Sequence, residues 1–330
     1  MAEPASNATA SSSDADAAPA ATAGHHNQQQ QQQHHHHPHS PSYDSSLTER
    51  LLFRVAKKWV AGYSAQDAIS AALGANSRGM SAILNYLGED AVEEAQVQAA
   101  VDEYLSLMDL IKAKNVRGCV SVKPTQLGLA IGYEACLKNF QRLAARAHEL
   151  GQFMWIDMES VRFTEDTITI YLRLLGEEED AKNKDIGIAI QAYLRRSGAD
   201  LLHIIEHGGK VRLVKGAYHE LQEHAFSSRE EVDQNYLRLL DMLAKSGNFF
   251  AVATHDDRLA EYAASLRPSG NIEFQLLMGI RDELKSRLVS RGLQVAEYIP
   301  YGSQWLPYSV RRIRERKRNL LLLARSLVQQ

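Results

Sequence analysis

The sequence predicts a (β/α)8 TIM barrel, with helices before it and a final helix after it. Short apolar runs of strand length alternate with longer helical segments from residue 81 onward. Most of these runs are nearly continuously apolar, as strands are when both faces of a parallel sheet are buried. The eight repeats occupy roughly 240 residues, close to the usual length of such a barrel.

A doubly wound open sheet is the alternative architecture, because it uses the same elements. However, no G-x-G-x-x-G follows the first apolar run, which weakens a dinucleotide-binding Rossmann interpretation. The predicted strands are Ser81–Leu87, Cys119–Lys123, Phe153–Met158, Gly187–Tyr193, Val211–Lys215, Phe249–Thr254, Ile272–Leu277 and Leu293–Tyr298. The predicted helices are Val92–Lys114, Tyr133–Leu150, Thr164–Leu175, Arg195–His207, Arg229–Lys245, Asp257–Leu266, Arg281–Arg291 and Trp305–Arg316.

The chain is predicted to have three parts: a disordered tail (1–43), a helical segment (44–80) and the barrel (81–330). The tail is rich in Ala, Ser, Gln and His and lacks the large apolar residues that a core requires. A capping box at 46–49 starts the helical segment, with Leu52, Val55, Ala56 and Trp59 at helical spacing. A second helix is expected from Ala65 to Leu73, ended by Gly74.

Composition narrows the class of protein. The chain has 330 residues, 45% of them hydrophobic, and a net charge of −3, which does not favour nucleic acid as a partner. Its two cysteines suggest neither a disulfide scaffold nor a metal site, so no metal is expected. With no apolar signal region and no apolar run long enough to span a bilayer, we expect a cytoplasmic protein. A peripheral contact with the inner face of a membrane is compatible with this.

Polar residues cluster at the predicted C-terminal ends of the strands, where barrel enzymes place their active sites. Those of most interest are Lys123, Asp157, Gln191, Arg212, Lys215, Thr254, His255, Gln275 and Tyr298. Buried charges are costly unless paired, so these groups need a ligand or each other. The alternative to a ligand site is a self-satisfied network pairing Lys123 with Asp157 and Arg212 with Glu273.

The last predicted helix adds a second group of cations. Pro307 suits its first turn, and Tyr308, Arg311 and Arg312 follow at i, i+3 and i+4 on one face. Paired guanidinium groups grip carboxylates in bidentate fashion, and Lys123 could join them. A solvated basic helix end is the alternative interpretation of this segment.

The remaining strand-end residues indicate what else binds. Tyr218, Tyr298 and Tyr308 offer flat walls for a small ring. The Lys215–Ala217 and Thr254–His255 segments provide donors that suit a pyrophosphate or the edge of a flavin. These features predict a barrel enzyme for a small carboxylic acid with a phosphate-bearing cofactor. Rival interpretations are a Schiff-base aldolase using Lys123 or Lys215, and a helical scaffold that binds a partner.

The same residues resemble the proline dehydrogenase family, in its monofunctional form. The resemblance runs from about Leu47 to the end of the chain. The matching segments, in the order of the family, are VSVK (120–123), WIDME (155–159), IQAY (190–193), RLVKGAY (212–218), ATHD (253–256), EFQLL (273–277) and YxxRR (308–312).

The resemblance implies a distorted (β/α)8 barrel with the C-terminal helix over its mouth. It implies FAD-dependent oxidation of L-proline to Δ1-pyrroline-5-carboxylate, with electrons passed to a quinone. It implies as partners a quinone, a separate pyrroline-5-carboxylate dehydrogenase and a transient membrane-surface contact. Asp157 would organise the site and Arg212 would lie near flavin N5. The implied substrate-binding residues are Lys123, Tyr298, Tyr308, Arg311 and Arg312. The implied FAD-binding residues are Met158, Gln191, Arg212, Lys215, Gly216, Ala217, Tyr218, Thr254, His255 and Gln275.

The resemblance also implies that an active-site arginine pairs with an acid from the N-terminal helices. Glu49 and Glu89 are the two candidates here, and the sequence does not decide between them.

Overall fold

A closed barrel of eight parallel strands forms the centre of the molecule. The computed structural model describes residues 47–176, 185–266 and 272–311, all within the compact unit that spans residues 46–330. Each strand pairs with the next along the chain, and the first pairs with the last. The predicted barrel is therefore confirmed, and the open sheet and the helical scaffold are wrong.

The strands agree with the predicted ones to within three residues at each end. They are β1 Ser81–Tyr86, β2 Gly118–Val122, β3 Met154–Ile156, β4 Ile186–Gln191, β5 Lys210–Val214, β6 Phe250–Ala253, β7 Ile272–Leu277 and β8 Gln294–Tyr301. Six of them (β1 to β6) stop before their predicted ends, so that Lys123, Asp157 and Lys215 lie just beyond the ladder rather than in it. The polar residues at these positions therefore belong to the loops at the barrel mouth.

The helices also follow the predicted order. They are α1 Leu47–Ala56, α2 Ala65–Ser77, α3 Glu94–Ala113, α4 Tyr133–Leu150, α5 Thr164–Leu175, α6 Ser197–Glu206, α7 Arg229–Ser246, α8 Asp257–Ser265 and α9 Asp282–Ser290. A further helix, α10, is formed by residues 305–311. No helix in the described ranges combines the length and apolar character that crossing a membrane requires. The predicted tail (1–43) lies outside the described residues.

Two expectations about the N-terminal helices were wrong. Helix α2 does not end at Gly74 but continues to Ser77, because the chain first reaches a left-handed conformation at Gly79, with φ of +84°. In α1, Leu52 and Val55 are 47% and 48% exposed and Phe53 is buried instead, whereas Ala56 and the following Trp59 are buried as expected. The first turns of α1 are thus rotated by about one residue from the predicted orientation.

Apolar side chains close the lower part of the barrel interior. Trp155 on β3 is 1% exposed and lies in one cluster with Ile83, Cys119 and Ala251. Gly187 on β4 makes room for it, since a Cβ at this position would lie 2.4 Å from the indole ring. Ser121, Arg212 and Gln275 bond one another inside the barrel, which places the polar site next to this apolar floor.

A buried ion pair joins the last strand to its neighbouring helices. Lys285 on α9 is 1% exposed, and its ammonium lies 2.5 Å from Glu297 Oε1 of β8 and 2.8 Å from Asp282 Oδ1. Glu297 also accepts a hydrogen bond of 2.8 Å from Arg78 Nη2, at the end of α2. These side chains line a cavity of about 420 Å³ between α2 and α9. Glu297 is therefore paired with one buried cation, Lys285, and one exposed cation, Arg78.

We expect Lys285→Met to lower the free energy of unfolding by about 3 kcal/mol, since it removes one partner of a buried pair. Arg78→Met should cost less than about 1 kcal/mol, because the Arg78 side chain is 56% exposed and its charge is screened. Urea denaturation of both variants measures the difference. Equal losses would contradict this account of the pair.

Candidate active site

The guanidinium of Arg212 forms the centre of a buried network inside the barrel. Arg212 on β5 is 3% exposed, and its Nη1 donates to Asp157 Oδ1 at 2.6 Å. The same nitrogen donates to Ser121 Oγ at 3.0 Å, and the Ser121 hydroxyl donates to Asp157 Oδ1 at 2.7 Å. Arg212 Nε donates to Gln275 Oε1 at 2.6 Å. The guanidinium of Arg212 on β5 thus contacts side chains from β2, from β7 and from the residue after β3.

Aromatic rings flank this guanidinium. Its carbon lies 4.6 Å from the ring centroid of Trp155 and 5.6 Å from that of Tyr298. The Tyr298 hydroxyl donates to the second oxygen of Asp157 at 2.8 Å. Arg212 Nη2 is buried and has no hydrogen-bond partner among the described residues. The two N–H donors of this nitrogen are therefore left for a ligand, whereas Nε and Nη1 of the same arginine are paired.

A second cluster brings two cations onto one carboxylate. Lys123 and Arg311 both form ion pairs with Glu89, in the loop after β1. Arg311 Nη2 lies 3.1 Å from Glu89 Oε1 and 3.4 Å from Oε2. Burial alone would raise the pKa of Glu89, but Lys123 and Arg311 together lower it below its ordinary value. Of the two acids that the sequence left open, Glu89 is the one paired with Arg311.

The self-satisfied network considered from the sequence had the wrong pairs. Lys123 contacts Glu89 rather than Asp157. Arg212 contacts Asp157, and Gln275 stands between it and Glu273, donating to Glu273 Oε1 at 2.8 Å. Neither predicted pair was found because the loop after β1 reaches over the barrel and supplies an acid that strand order alone does not place there.

Helix α10 brings the two described residues of the YxxRR segment to the barrel mouth. Arg311 contacts Glu89, and its guanidinium carbon lies 5.8 Å from the ring centroid of Tyr218. Tyr308 packs against a cluster that includes Phe53 and Trp305. Arg312 lies outside the described residues. The sequence-based alternative of a purely solvated helix end does not apply to Arg311, whose side chain is 30% exposed and paired.

The segment after β5 has the geometry of a close backbone approach. Gly216 has φ of +109°, and a Cβ there would lie 2.1 Å from the Tyr193 ring. Gly216 and Ala217 are exposed, and Tyr218 is half-buried. Lys215 pairs with Asp233 Oδ1 at 2.5 Å and Asp256 Oδ2 at 3.1 Å, towards α7 and α8. By strand alternation it therefore projects away from Arg212, on the other side of the barrel wall.

Three of the other predicted cofactor residues make hydrogen bonds at the strand ends, and a fourth is buried in the core. Gln191 Nε2 donates to the Glu159 carbonyl at 2.7 Å. Thr254 Oγ1 accepts from the Asp256 amide at 3.2 Å, and His255 Nε2 accepts from the Leu277 amide at 3.0 Å. Met158 is buried in the main core.

Sequence reasoning missed two residues of the site. Ser121 bridges Arg212 and Asp157, and it lies two positions before Lys123, so the period of two along β2 already placed both on the inner face. Trp155 stacks on Arg212, and it lies two positions before Asp157, as Ser121 does before Lys123. Alternation along each strand was therefore the available signal.

With this geometry in view, comparison with known proteins identifies the family. A family model described as proline dehydrogenase matches residues 68–324. The chain belongs to the proline dehydrogenase family. It is 32% identical over 278 residues to proline dehydrogenase 1 of Bacillus subtilis (strain 168), covering 83% of this chain and 90% of the relative. It is also 32% identical over 290 residues to the proline dehydrogenase of Deinococcus radiodurans, covering 86% and 93%.

A solved structure shares the fold. Proline utilization A (PutA) from Bdellovibrio bacteriovorus, inactivated by N-propargylglycine, superposes with a TM-score of 0.75 at 25% identity. The match covers 80% of this chain and 33% of that one, so the chain spans about a third of that protein. Membership in the proline dehydrogenase family makes this chain an oxidoreductase of proline catabolism. The Schiff-base aldolase interpretation is therefore wrong.

One carboxyl close to the site has an unusual pKa. Glu159 is 3% exposed, and burial raises its pKa to about 7, although the charge of Lys123 and hydrogen bonds from Thr125 oppose the rise. Both of its oxygens accept from Thr125 at 2.8 Å, one from the amide and one from the hydroxyl. A buried carboxyl group near Lys123 therefore has a pKa close to neutral pH.

We expect Glu159 to make the protein less stable as the pH rises through about 7. Its pKa is higher in the folded protein than in the unfolded chain, so its contribution is complete at acid pH and is lost on ionisation. Relative to Glu159→Gln, the wild type should lose up to about 1.4 kcal/mol per pH unit between pH 5 and 7. Unfolding titrations at several pH values measure this, with Glu149→Gln as an exposed control; parallel profiles for wild type and Glu159→Gln would refute it.

Proposed function

We propose that this protein oxidises L-proline to Δ1-pyrroline-5-carboxylate with FAD as cofactor and a quinone as electron acceptor. The observation that carries the proposal is the buried Arg212, which is held by Asp157 and has an unpartnered Nη2, inside the barrel of a proline dehydrogenase family member. A permanent positive charge at this position favours a ligand on which negative charge develops.

The residues present fit FAD in two respects. The unpartnered Arg212 Nη2 offers a donor inside the barrel, where the flavin edge would need one. The exposed Gly216, with its left-handed backbone, lets a large ligand approach the main chain after β5. We propose that FAD is held by Met158, Gln191, Arg212, Lys215, Gly216, Ala217, Tyr218, Thr254, His255 and Gln275. When bound, FAD supplies the acceptor for the hydride that leaves the carbon next to the proline nitrogen.

Lys123 and Arg311, with Arg312, would hold the carboxylate of proline. The support is that Lys123 and Arg311 already converge on a carboxylate, that of Glu89. Substrate binding would then exchange one carboxylate for another, so the two cations would never be left buried and unpaired. Glu89 must release at least one of these cations for the exchange to occur.

Aromatic residues would shape the substrate pocket. Tyr298 is fixed by its hydrogen bond to Asp157, so its ring can contact the pyrrolidine without rearranging. Tyr308 would form the opposite wall. Asp157 accepts from Arg212, Ser121 and Tyr298, and would thereby keep the cation and the ring in fixed positions.

The acceptor and the next enzyme follow from the chemistry of the products. Reduced flavin must be reoxidised, and we propose a quinone, reached by a transient contact with a membrane surface. The imine product would pass to a separate pyrroline-5-carboxylate dehydrogenase.

An absorbance spectrum with and without L-proline tests the proposal. The purified protein should show the bands of an oxidised flavin, and these should bleach when L-proline is added without oxygen or acceptor. Bands that persist with L-proline would reject the substrate and keep the cofactor. A colourless protein that cannot be reconstituted with FAD would reject both.

Gly216→Ala should lower the FAD content of the purified protein several-fold, since a Cβ meets the Tyr193 ring and the left-handed backbone is disfavoured. Gly151→Ala is the matched control. Gly151 has φ of +64° at the end of α4, but no atom lies within 4 Å of a Cβ built there. Equal FAD content in the two variants would contradict the proposed contact between FAD and the segment after β5.

A further inference from the structure

Helix α10 is fastened to the N-terminal segment at a point that faces away from the substrate cations. Trp59 Nε1 donates to Ser309 Oγ at 3.0 Å, joining residues 250 positions apart. Both residues are 3% exposed. Ser309 lies between the two described α10 residues with proposed substrate roles, Tyr308 and Arg311.

The N-terminal segment that carries Trp59 is itself fixed to the barrel. The Ala61 amide donates to the Pro300 carbonyl at 2.9 Å, and the Gly302 amide donates to the Gly62 carbonyl at 2.9 Å. Gly279, in the loop after β7, lies so close that a Cβ would be 1.6 Å from the Lys58 carbonyl oxygen. The backbone on either side of Trp59 is thus held against the end of β8 and the loop before α9.

Apolar packing completes the contact. Phe53, Trp59 and Trp305 belong to one buried cluster that is separate from the main core. The rings of Phe53 and Trp305 have centroids 5.0 Å apart. Such packing holds α10 against α1, but it is not directional, so it does not by itself fix the rotation of α10 about its axis. A hydrogen bond does, because it requires one orientation of Ser309.

We propose that the Trp59–Ser309 hydrogen bond sets the rotation of α10 and thereby positions Arg311 for the substrate carboxylate. Successive helix residues are about 100° apart, so Ser309 can face Trp59 while Arg311 faces Glu89 across the mouth. A helix with its side chains has a radius of about 5–6 Å, so a rotation of about 10° moves a side-chain end by about 1 Å. Displacements of this size matter for a two-point grip on a carboxylate.

This inference rests on the proposed role of Arg311 in holding proline. Trp59 and Ser309 are then positioning residues, and their loss should weaken proline binding more than the chemical step. A merely structural role for the bond would instead lower stability and FAD content and leave the KM for proline unchanged.

The test compares Trp59→Phe, Ser309→Ala and the double variant. Each single variant should raise the KM for L-proline by about five- to tenfold, the worth of one buried hydrogen bond, with kcat and FAD content within about twofold of wild type. The double variant should be no worse than either single variant, since both remove the same bond. Ser309→Thr, which keeps the hydroxyl, should restore the KM.

Leu52→Ala, on the exposed side of α1, is the control and should leave all values unchanged. An unchanged KM in both single variants, effects that add in the double variant, or no rescue by Ser309→Thr would overturn the proposal. If the wild type itself is not reduced by L-proline, the proposed function fails instead, so the two failures are distinguishable. Trp59→Phe retains most of the ring volume, which keeps the test usable if Ser309→Ala folds poorly.

Discussion

The site depends on one electrostatic constraint: a buried guanidinium must be paired. Arg212 lies inside the barrel, where an unpaired charge would cost several kcal/mol. Asp157 neutralises it, and Ser121 and Gln275 satisfy further N–H groups. Because these partners come from β2, β7 and the residue after β3, the charge holds their inner faces in a single arrangement. The same pairing fixes Tyr298 through the second oxygen of Asp157.

The second cluster obeys the same constraint in a different way. Lys123 and Arg311 share Glu89, which lies in the loop after β1. The acid therefore links that loop to the end of β2 and to α10, which carry the two cations that we propose to hold a carboxylate ligand. Both cations are paired in the structure, so under this proposal the substrate carboxylate would replace that of Glu89. The N-terminal segment contacts α10 through the hydrogen bond from Trp59 to Ser309.

Much of the fold could be predicted because it depends on local patterns. Eight buried strands read as eight apolar runs, and Tyr133–Leu150 and Thr164–Leu175 were predicted with their exact bounds. Helix α2 was predicted too short, because Gly74 resembles a helix end, whereas the end is set by the backbone at Gly79. The buried face of the first turns of α1 was shifted by about one residue because Phe53 packs on Trp305, a contact between distant parts of the chain.

Most residues of the site could be predicted from the sequence, but the pairs that its acids and cations form could not. Residues at strand ends can be placed near one another by the barrel topology alone, and Arg212, Asp157 and Tyr298 do meet. Which acid meets which cation depends on the path of loops, so the pairing of Lys123 with Glu89 could not be read from strand order. Ser121 was open to prediction from strand alternation.

The most direct test of this account is the rate at which saturating L-proline bleaches the flavin of Arg212→Met without oxygen, normalised to bound FAD. If Arg212 supplies the charge and the donor at the reacting end of the cofactor, this rate should fall by about two orders of magnitude or more. A rate within about tenfold of wild type, in a variant that still binds FAD, would contradict the central place given to Arg212.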